Sequence, residues 1–190
     1  MKKHLLNKYV AGHIKSIEGH LDSYKMDKEP ESLHHLRVDI KKVKAILSFA
    51  RDISGEKYNM KELKPLFHKA GDIRELHINI RLLGKLPHLP EKPIAQLKEK
   101  EKVLAQQFLK NIPRYIKNVR NFGKGISLPT LPGKKSINRY FKKQMNGANK
   151  ELRNESREGA HRFRMRIKKV MYVYNALQKK LHIGINLNED

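Results

Sequence analysis

The chain of 190 residues contains no cysteine and carries 42 Lys and Arg against 19 Asp and Glu, which gives a formal net charge of +23. The absence of cysteine excludes disulfides, thiolate zinc sites and cysteine nucleophiles, and a hydrophobic content of 38% argues against wholesale disorder. Such an excess of positive charge destabilises a compact state by self-repulsion unless a partner offsets it. We therefore expect a polyanion partner (nucleic acid, inorganic polyphosphate or an anionic membrane), the alternative being that the charge serves general solubility.

Apolar residues recur at three- and four-residue intervals along almost the whole chain, a spacing typical of amphipathic α-helices. Runs of alternating apolar and polar residues, which would indicate strands, are absent. The chain is therefore predicted to be all-α, with six or seven helices. The six clearest patterns cover about Leu5–Tyr24, Glu31–Asp52, Lys61–Leu83, Ile94–Val119, Ser136–Glu155 and Arg157–Leu181.

Proline and glycine mark the expected boundaries of these helices. Pro30 precedes the second pattern and is typical of a helix start, and the loop HLPEKP, residues 88–93, separates the third pattern from the fourth. Pro113 falls inside the fourth pattern and is expected to kink or end that helix. The stretch GKGISLPTLPGKK, residues 123–135, is the longest break and is predicted to connect two halves of the chain.

The first residues, MKKHLLNKYVAGHIKS, show neither the apolar run nor the small-residue cleavage site of a signal peptide. No segment approaches the ~18 consecutive apolar residues that a membrane-spanning helix needs. We therefore expect a soluble, cytoplasmic protein without a membrane span.

Two segments of the sequence repeat each other without gaps. HHLRVDIKKVKA, from His34, and HRFRMRIKKVMY, from His161, both follow the pattern H-x-φ-R-φ-x-I-K-K-V, in which φ is apolar. Six of the ten aligned positions are identical, which exceeds what a basic composition alone readily supplies. The identical pairs are His34/His161, Arg37/Arg164, Ile40/Ile167, Lys41/Lys168, Lys42/Lys169 and Val43/Val170.

The spacing of the repeat predicts a cationic stripe on each helix. Because successive residues turn by about 100°, the first, fourth and eighth positions fall within an arc of roughly 60°. The stripes comprise His34, Arg37, Lys41 and Lys44 in the first copy and His161, Arg164 and Lys168 in the second. The apolar positions on the opposing side are Leu36, Ile40, Val43 and Leu47, and Phe163, Ile167, Val170 and Tyr174. Neither stripe contains a carboxylate, whereas a solvated helix face usually intersperses Glu with Lys.

The repeated H-x-x-R-φ-x-φ-K-[KR] motif resembles that of the CHAD family, the conserved-histidine α-helical domain. The segment LKPLFHKAGDIRELHINI, Leu63–Ile80, is similar to an L-x-x-x-L-G-x-x-R-D-L-D element that lies between the two histidine motifs of that family. The resemblance covers about residues 1–183. It implies two antiparallel helical bundles related by pseudo-two-fold symmetry, with a basic central groove or pore. It also implies non-catalytic binding of inorganic polyphosphate, with association with polyphosphate granules as an open consequence.

In the terms of this resemblance, residues 1–190 form a single domain, with an N-terminal half of about 1–122, a linker of about 123–135 and a C-terminal half of about 136–183. No cofactor and no metal are expected. Glu75 and His77 depart from the family pattern, which usually has aspartate at both positions, and Met171 replaces a frequent arginine. The polyphosphate-binding residues implied are His34, Arg37, Lys41, Lys42, Lys44, Arg74, His161, Arg164, Lys168 and Lys169.

These residue types suit a linear phosphate chain, which has charge along its length and no bases to be recognised. Arginine offers a planar fork that bridges two oxygens, and lysine supplies a mobile point charge. Histidine beside a polyanion has its cationic form favoured, so it gains hydrogen-bond donors as the pH falls.

Other interpretations stay open on the sequence alone. General binding to nucleic-acid backbones is the main alternative, and weak non-specific binding of this kind is expected, although no helix-turn-helix, zinc-finger or RNP pattern is present. A phosphohydrolase would need a metal-ligand set or a P-loop, and the sequence shows neither. Binding to anionic membrane surfaces is a third possibility. The repeat histidines His34 and His161 could instead stabilise the fold, and Arg74 could form an ion pair with Glu75. Other basic residues could belong either to the solvated surface or to the groove, namely Arg139, Lys142, Lys143 and Arg153. The sequence leaves chain-length preference and oligomeric state open.

Overall fold

The structure, a computed structural model, describes residues 4–86 and 91–181, apart from the side chains of 91 and 179–181. These residues form six α-helices and no strand, which confirms the predicted all-α class. The residues Pro87 to Pro90, within and beside the predicted loop HLPEKP, lie outside the described part, as do residues 182–183 of the predicted C-terminal half. The helices are α1 (Leu5–Asp27), α2 (Pro30–Ser54), α3 (Lys64–Leu83), α4 (Glu91–Gly125), α5 (Lys134–Leu152) and α6 (Arg157–Leu181).

The ends of α2 follow from its sequence. Pro30 begins the helix, where its missing N–H has no intrahelical partner to lose. Glu31 places a carboxylate in the first turn, which the helix dipole favours. After Ser54, Gly55 adopts a positive φ of 77°, a conformation that glycine reaches without steric cost and that ends helices.

Pro113 was predicted to kink or end the fourth helix; the end was wrong, because α4 continues through it to Gly125, and the kink remains a prediction. Pro113 is exposed. The carbonyl group that loses its intrahelical N–H donor at a proline can turn toward water when the proline faces solvent. The buried apolar residues on both sides of the proline, Ile112 and Tyr115, keep the helix packed across this point.

The chain divides into two compact units, and α1 and α2 contribute a segment to each. We name them after the helices that each contains entirely. The α3–α4 unit comprises Ala11–Ile40 and Asn59–Ile126. Of the described residues, the α5–α6 unit comprises 4–10, Lys41–Tyr58 and 127–181. The division into halves at a linker of about 123–135 remains a prediction.

In the α3–α4 unit, α3 packs on α4, and the second part of α1 packs on both α2 and α4. The buried ring of Tyr24 on α1 meets Phe108 on α4 edge to face, with 5.4 Å between centroids. Burial raises the pKa of Tyr24 to about 12. Further buried side chains of this unit are Ile17, Leu21, Leu33, Leu36, Leu66, Ile73, Ile112 and Val119.

In the α5–α6 unit, α5 packs on α6, and the second part of α2 packs on α5. The ring of Phe49 on α2 meets Tyr140 on α5 edge to face at 4.8 Å between centroids. The buried hydroxyl of Tyr140 has no hydrogen-bond partner among the described residues, and burial raises its pKa. Further buried side chains of this unit are Val43, Ile46, Ile137, Phe141, Ala148, Val173 and Leu177.

Candidate anion-binding site

The first predicted stripe lies on α2, and the helix has the two-sided character that the repeat predicted. Its apolar side is buried throughout, as expected for Leu36, Ile40, Val43 and Leu47. On the polar side, Lys44 is exposed and forms no ion pair with any described residue. Of the other predicted binding residues on α2, His34, Lys41 and Lys42 are half-buried, and each interacts with another group of the protein.

Arg37, the central arginine of this stripe, is held by contacts inside the α3–α4 unit. Its Nη1 donates a hydrogen bond to the backbone carbonyl of Phe67 on α3. Its guanidinium carbon lies 4.0 Å from the centroid of the Phe67 ring, in a cation–π arrangement. Burial, followed by the nearby charge of Arg74, lowers the pKa of Arg37. The first motif therefore directs its arginine toward a neighbouring helix.

A glycine makes this position of Arg37 possible. A Cβ atom placed on Gly71 of α3 would lie only 2.8 Å from the guanidinium carbon of Arg37. Any larger residue at this position would displace the guanidinium from Phe67. Gly71 belongs to the element LKPLFHKAGDIRELHINI, so this segment of α3 supplies both the partner of Arg37 and the space that it occupies.

Arg74, one turn further along α3, is half-buried and forms no ion pair among residues 4–86 and 91–181. The structure thus shows no pairing of Arg74 with Glu75. Arg74 lines a cavity of about 250 Å³ together with Arg81 and His77 from α3 and Glu29 and Glu31 beside the start of α2. Because the cavity carries both signs of charge, it does not by itself define an anion site.

On α6, three cations share one side of the helix and all have carboxylate partners. Arg162 Nε lies 2.6 Å from Glu151 Oε2 on α5, and Arg166 Nη2 lies 3.7 Å from the other oxygen of the same carboxylate. The hydrogen bond from Arg162 holds the pKa of Glu151 below its usual range. Lys169 Nζ lies 3.8 Å from Asp52 Oδ2 on α2.

Lys169 was also predicted to bind polyphosphate, and its surroundings differ from those of the second stripe. Its ammonium lies 6.0 Å from the centroid of the Tyr140 ring as well as beside Asp52. Burial is the main cause of its lowered pKa, and the charge of Asp52 acts in the opposite direction. Lys169 thus faces the interior of the α5–α6 unit.

The second stripe, His161, Arg164 and Lys168, occupies another side of α6. At about 100° per residue, they cluster roughly 130° around the helix from Arg162, Arg166 and Lys169. All three are exposed, and none forms an ion pair with a described residue. The repeat therefore pairs residues with different environments, because Arg164 points to solvent whereas Arg37 is packed against α3.

A cluster around Asp39 escaped the sequence interpretation. The Asp39 side chain is only 7% exposed and accepts a hydrogen bond of 2.5 Å from Ser16 Oγ. His13 Nδ1 and His20 Nε2 lie 3.0 and 3.3 Å from the same carboxylate. The available signal was the spacing of His13, Ser16 and His20, which places all three on one face of α1.

The histidine rings extend from this cluster along α2. His35 stacks on His20 at 5.6 Å between centroids, and His34 follows at 5.7 Å from His35. His35 Nε2 also lies 3.5 Å from Glu31 Oε1. In the described part of the chain, no group of three His, Asp or Glu side chains is arranged to hold a metal ion.

None of the helices in the described residues combines the length and the apolar character needed to cross a lipid bilayer. A family model described as the CHAD domain matches residues 8–184, nearly the whole chain. No curated protein and no solved structure matches the chain.

Proposed function

The chain belongs to the CHAD domain family, and from this membership we propose that it binds inorganic polyphosphate without catalysing its conversion. The family is associated with polyphosphate binding and is generally a binding domain. The proposal includes the finer features that the resemblance implies, namely pseudo-two-fold symmetry, a basic groove and association with polyphosphate granules. It also includes the cytoplasmic location that we expect from the sequence.

The observation that carries the proposal is the division of cations on α6. Arg162, Arg166 and Lys169 pair with carboxylates, whereas His161, Arg164 and Lys168 remain exposed without one. Paired cations stabilise the packing of α6 in its unit. Exposed cations on one face repel each other and destabilise the free protein. An anionic ligand best explains why they lie there.

The ten predicted binding residues do not contribute equally in this proposal. His161, Arg164, Lys168 and Lys44 are exposed and supply direct contacts with phosphate oxygens. His34, Lys41, Lys42 and Arg74 are half-buried and extend the positive field along α2 and α3. Arg37 and Lys169 act as positioning residues, because each is already engaged with groups of the protein.

The chemistry of the exposed stripe accounts for a preference for phosphate chains. Arg164 can bridge two oxygens, and Lys168, one turn along, can reach the next phosphate. Each phosphate that a cation neutralises releases bound counterions, so affinity falls as the salt concentration rises, in the same sense as for DNA.

A competition titration tests this function. Labelled polyphosphate bound to the protein is challenged with unlabelled polyphosphate, duplex DNA, heparin and ATP at several salt concentrations. We expect polyphosphate to compete more strongly than duplex DNA at equal total charge. Equal affinities with identical salt dependence would contradict a specific function, and release of phosphate in the presence of Mg²⁺ or Mn²⁺ would contradict the absence of catalysis.

A matched pair of variants tests the site. Arg164→Gln with Lys168→Gln removes two exposed charges four residues apart on α6, and Lys98→Gln with Lys102→Gln removes two exposed charges at the same spacing on α4. We expect the α6 variant to bind polyphosphate at least tenfold more weakly than the wild type, and the α4 variant to bind within about twofold of it. The binding free energies of the two variants should therefore differ by at least about 1 kcal/mol. Equal losses would show that net charge alone determines binding.

A further inference from the structure

The solvent-facing side of α5 carries a second, longer series of cations. Lys135, Arg139, Lys142 and Lys150 fall within an arc of roughly 80° and extend for about 22 Å along the helix axis. All four are exposed, and none forms an ion pair within the described part of the chain. The opposite side of α5 is buried and comprises Ile137, Tyr140, Phe141, Gln144 and Ala148.

The composition around α5 concentrates positive charge in this unit. Residues 127–181 contain fifteen Lys and Arg but only three carboxylates. Of these three carboxylates, Glu151 is already bound by Arg162 and Arg166. The outer side of α5 therefore has almost no internal source of negative charge to offset its cations.

The chemistry of this face favours a partner that is recognised by charge alone. Between its cations lie Asn146 and Asn149, whose amides also donate hydrogen bonds. The aromatic rings of α5 are buried on the other side, so the face has no platform on which nucleobases could stack. Its apolar content is limited to the exposed Leu152 at the last residue of the helix, whereas membrane-surface helices carry a whole apolar face.

We propose that the outer side of α5 is a second contact surface for the polyphosphate chain bound by α6, so that the protein selects long chains over short ones. This inference rests on the proposed function. The helix α5 packs directly on α6, and packed helices lie about 8–10 Å apart. Arg164 and Lys168 lie roughly 130° around α6 from the side that meets Glu151 of α5, so a bound chain must pass around the helix pair to reach the outer side of α5. A long flexible chain can follow this path, whereas a chain of three phosphates cannot occupy both helices.

Linked contacts explain why the effect depends on chain length. Once α6 holds one part of a chain, the next part binds α5 as an intramolecular step at a high effective concentration, which strengthens binding without any change on α6. A short chain gains nothing from α5. The additional cations also increase the number of counterions released, so long-chain binding should depend more steeply on salt than short-chain binding.

The chain offers a closely matched control for testing α5. Lys135, Arg139 and Lys142 recur in type and spacing as Lys110, Arg114 and Lys117 on α4, and all six are exposed without an ion pair among the described residues. The α4 set belongs to the α3–α4 unit, which does not contain α6. Changing either set to glutamine removes three charges and keeps residues of similar helix propensity.

The test measures the affinity of tripolyphosphate and of long-chain polyphosphate for the wild type, the α5 triple variant and the α4 triple variant. We expect the α5 variant to lose at least tenfold in affinity for the long chain and less than twofold for tripolyphosphate. Its salt dependence for the long chain should become shallower by about two to three, as each lost phosphate contact lowers the slope by about one. The α4 variant should retain long-chain affinity within about threefold.

Each other outcome contradicts the inference. Equal losses in the two triple variants would show a non-specific charge effect, and a parallel loss for both ligands would place α5 in the primary site. An unchanged α5 variant would show that α5 does not contact the chain. If the α5 variant lost more affinity for duplex DNA or for anionic vesicles than for long-chain polyphosphate, this face would bind that partner instead. Failure of the wild type to bind either phosphate chain would contradict the proposed function itself. Circular dichroism verifies that the variants remain helical.

Discussion

The contact between Arg37 and Gly71 allows a prediction whose sign depends on the background. Replacing a glycine inside a helix by alanine normally stabilises a protein by about 1 kcal/mol. At Gly71 the new Cβ would lie 2.8 Å from the guanidinium carbon of Arg37 and would force that group away from Phe67. The expected change in the free energy of unfolding for Gly71→Ala is therefore the gain in helix propensity minus the contribution of the Arg37 contacts that are lost.

The size of the loss follows from the two contacts. A hydrogen bond from a charged donor contributes about 1.5 kcal/mol at the low end of its range. We use this low value because the Phe67 carbonyl lies within α3 and also accepts a hydrogen bond from a helical N–H. A cation–π contact of a partly exposed arginine adds about 0.5–1 kcal/mol. Gly71→Ala should thus destabilise the wild type by about 1 kcal/mol. In an Arg37→Ala background, it should stabilise the protein by about 1 kcal/mol.

A double-mutant cycle measures this coupling, which we expect to be about 2 kcal/mol. The free energy of unfolding of the four proteins is obtained from urea titrations followed by far-ultraviolet circular dichroism, with an unchanged m-value as the condition for comparison. Stabilisation by Gly71→Ala in both backgrounds would refute the reasoning, since it would mean that the guanidinium moves aside without losing favourable contacts.

The α5–α6 unit provides a comparison for this cycle. A Cβ on Gly147 of α5 would lie 2.8 Å from the guanidinium carbon of Arg166. The contacts of Arg166 are longer, at 3.4 Å to Gln144 Oε1 and 3.7 Å to Glu151 Oε1. Because these contacts are weaker, the helix gain should largely cancel the loss, and Gly147→Ala should change the stability by less than about 0.5 kcal/mol.

Three further predictions concern the interior and its charges. Tyr140→Phe removes a buried hydroxyl that has no partner among the described residues, so calorimetry should show unchanged stability or a gain of up to about 1 kcal/mol. Because Arg162 lowers the pKa of Glu151 in the folded state, the ionised carboxylate stabilises the fold above its unfolded pKa. Urea titrations should therefore show a stability deficit of Glu151→Gln at neutral pH that disappears as the pH falls below about 4. Asp39→Asn replaces a buried acceptor of three side-chain contacts and should destabilise the protein by about 1–3 kcal/mol in urea titrations, whereas Asp22→Asn, at an exposed position of α1, should be neutral.

The sequence predicted the helices and the buried side of α2 because both depend on local periodicity. Leu36 and Val43 repeat at helical spacing, and any packed helix buries such a stripe. The outcome at Pro113 was not predictable in the same way, because a proline ends a helix or is tolerated according to whether it faces solvent. Periodicity gives the direction of a side chain around its helix, but not the group that it meets there.

The arginines of the repeat show this limit most clearly. Arg37 and Arg164 occupy the same position of the motif, and on sequence alone they are equivalent. Phe67 and Gly71, which lie about thirty residues beyond Arg37, determine its environment, and nothing in the repeat itself encodes them. The cluster at Asp39 has the same origin, since it depends on α1 and α2 packing together. The aligned position in the second copy is Arg166, so the two copies differ in charge at an internal position.

The placement of carboxylates connects these observations with the proposed function. The chain has fewer than half as many acidic as basic residues, and several of the acidic ones lie where a cation serves the fold: Glu151 beside Arg162, Asp52 beside Lys169, Glu18 beside Arg120. The exposed cations of the proposed surfaces have no such partners among the described residues: Lys135, Arg139, Lys142 and Lys150 on α5 and Arg164 and Lys168 on α6. If these cations served only solubility, removing some of them would relieve self-repulsion and would have no functional consequence. If they bind polyphosphate, the same removal stabilises the free protein and weakens the complex, so stability and affinity change in opposite directions.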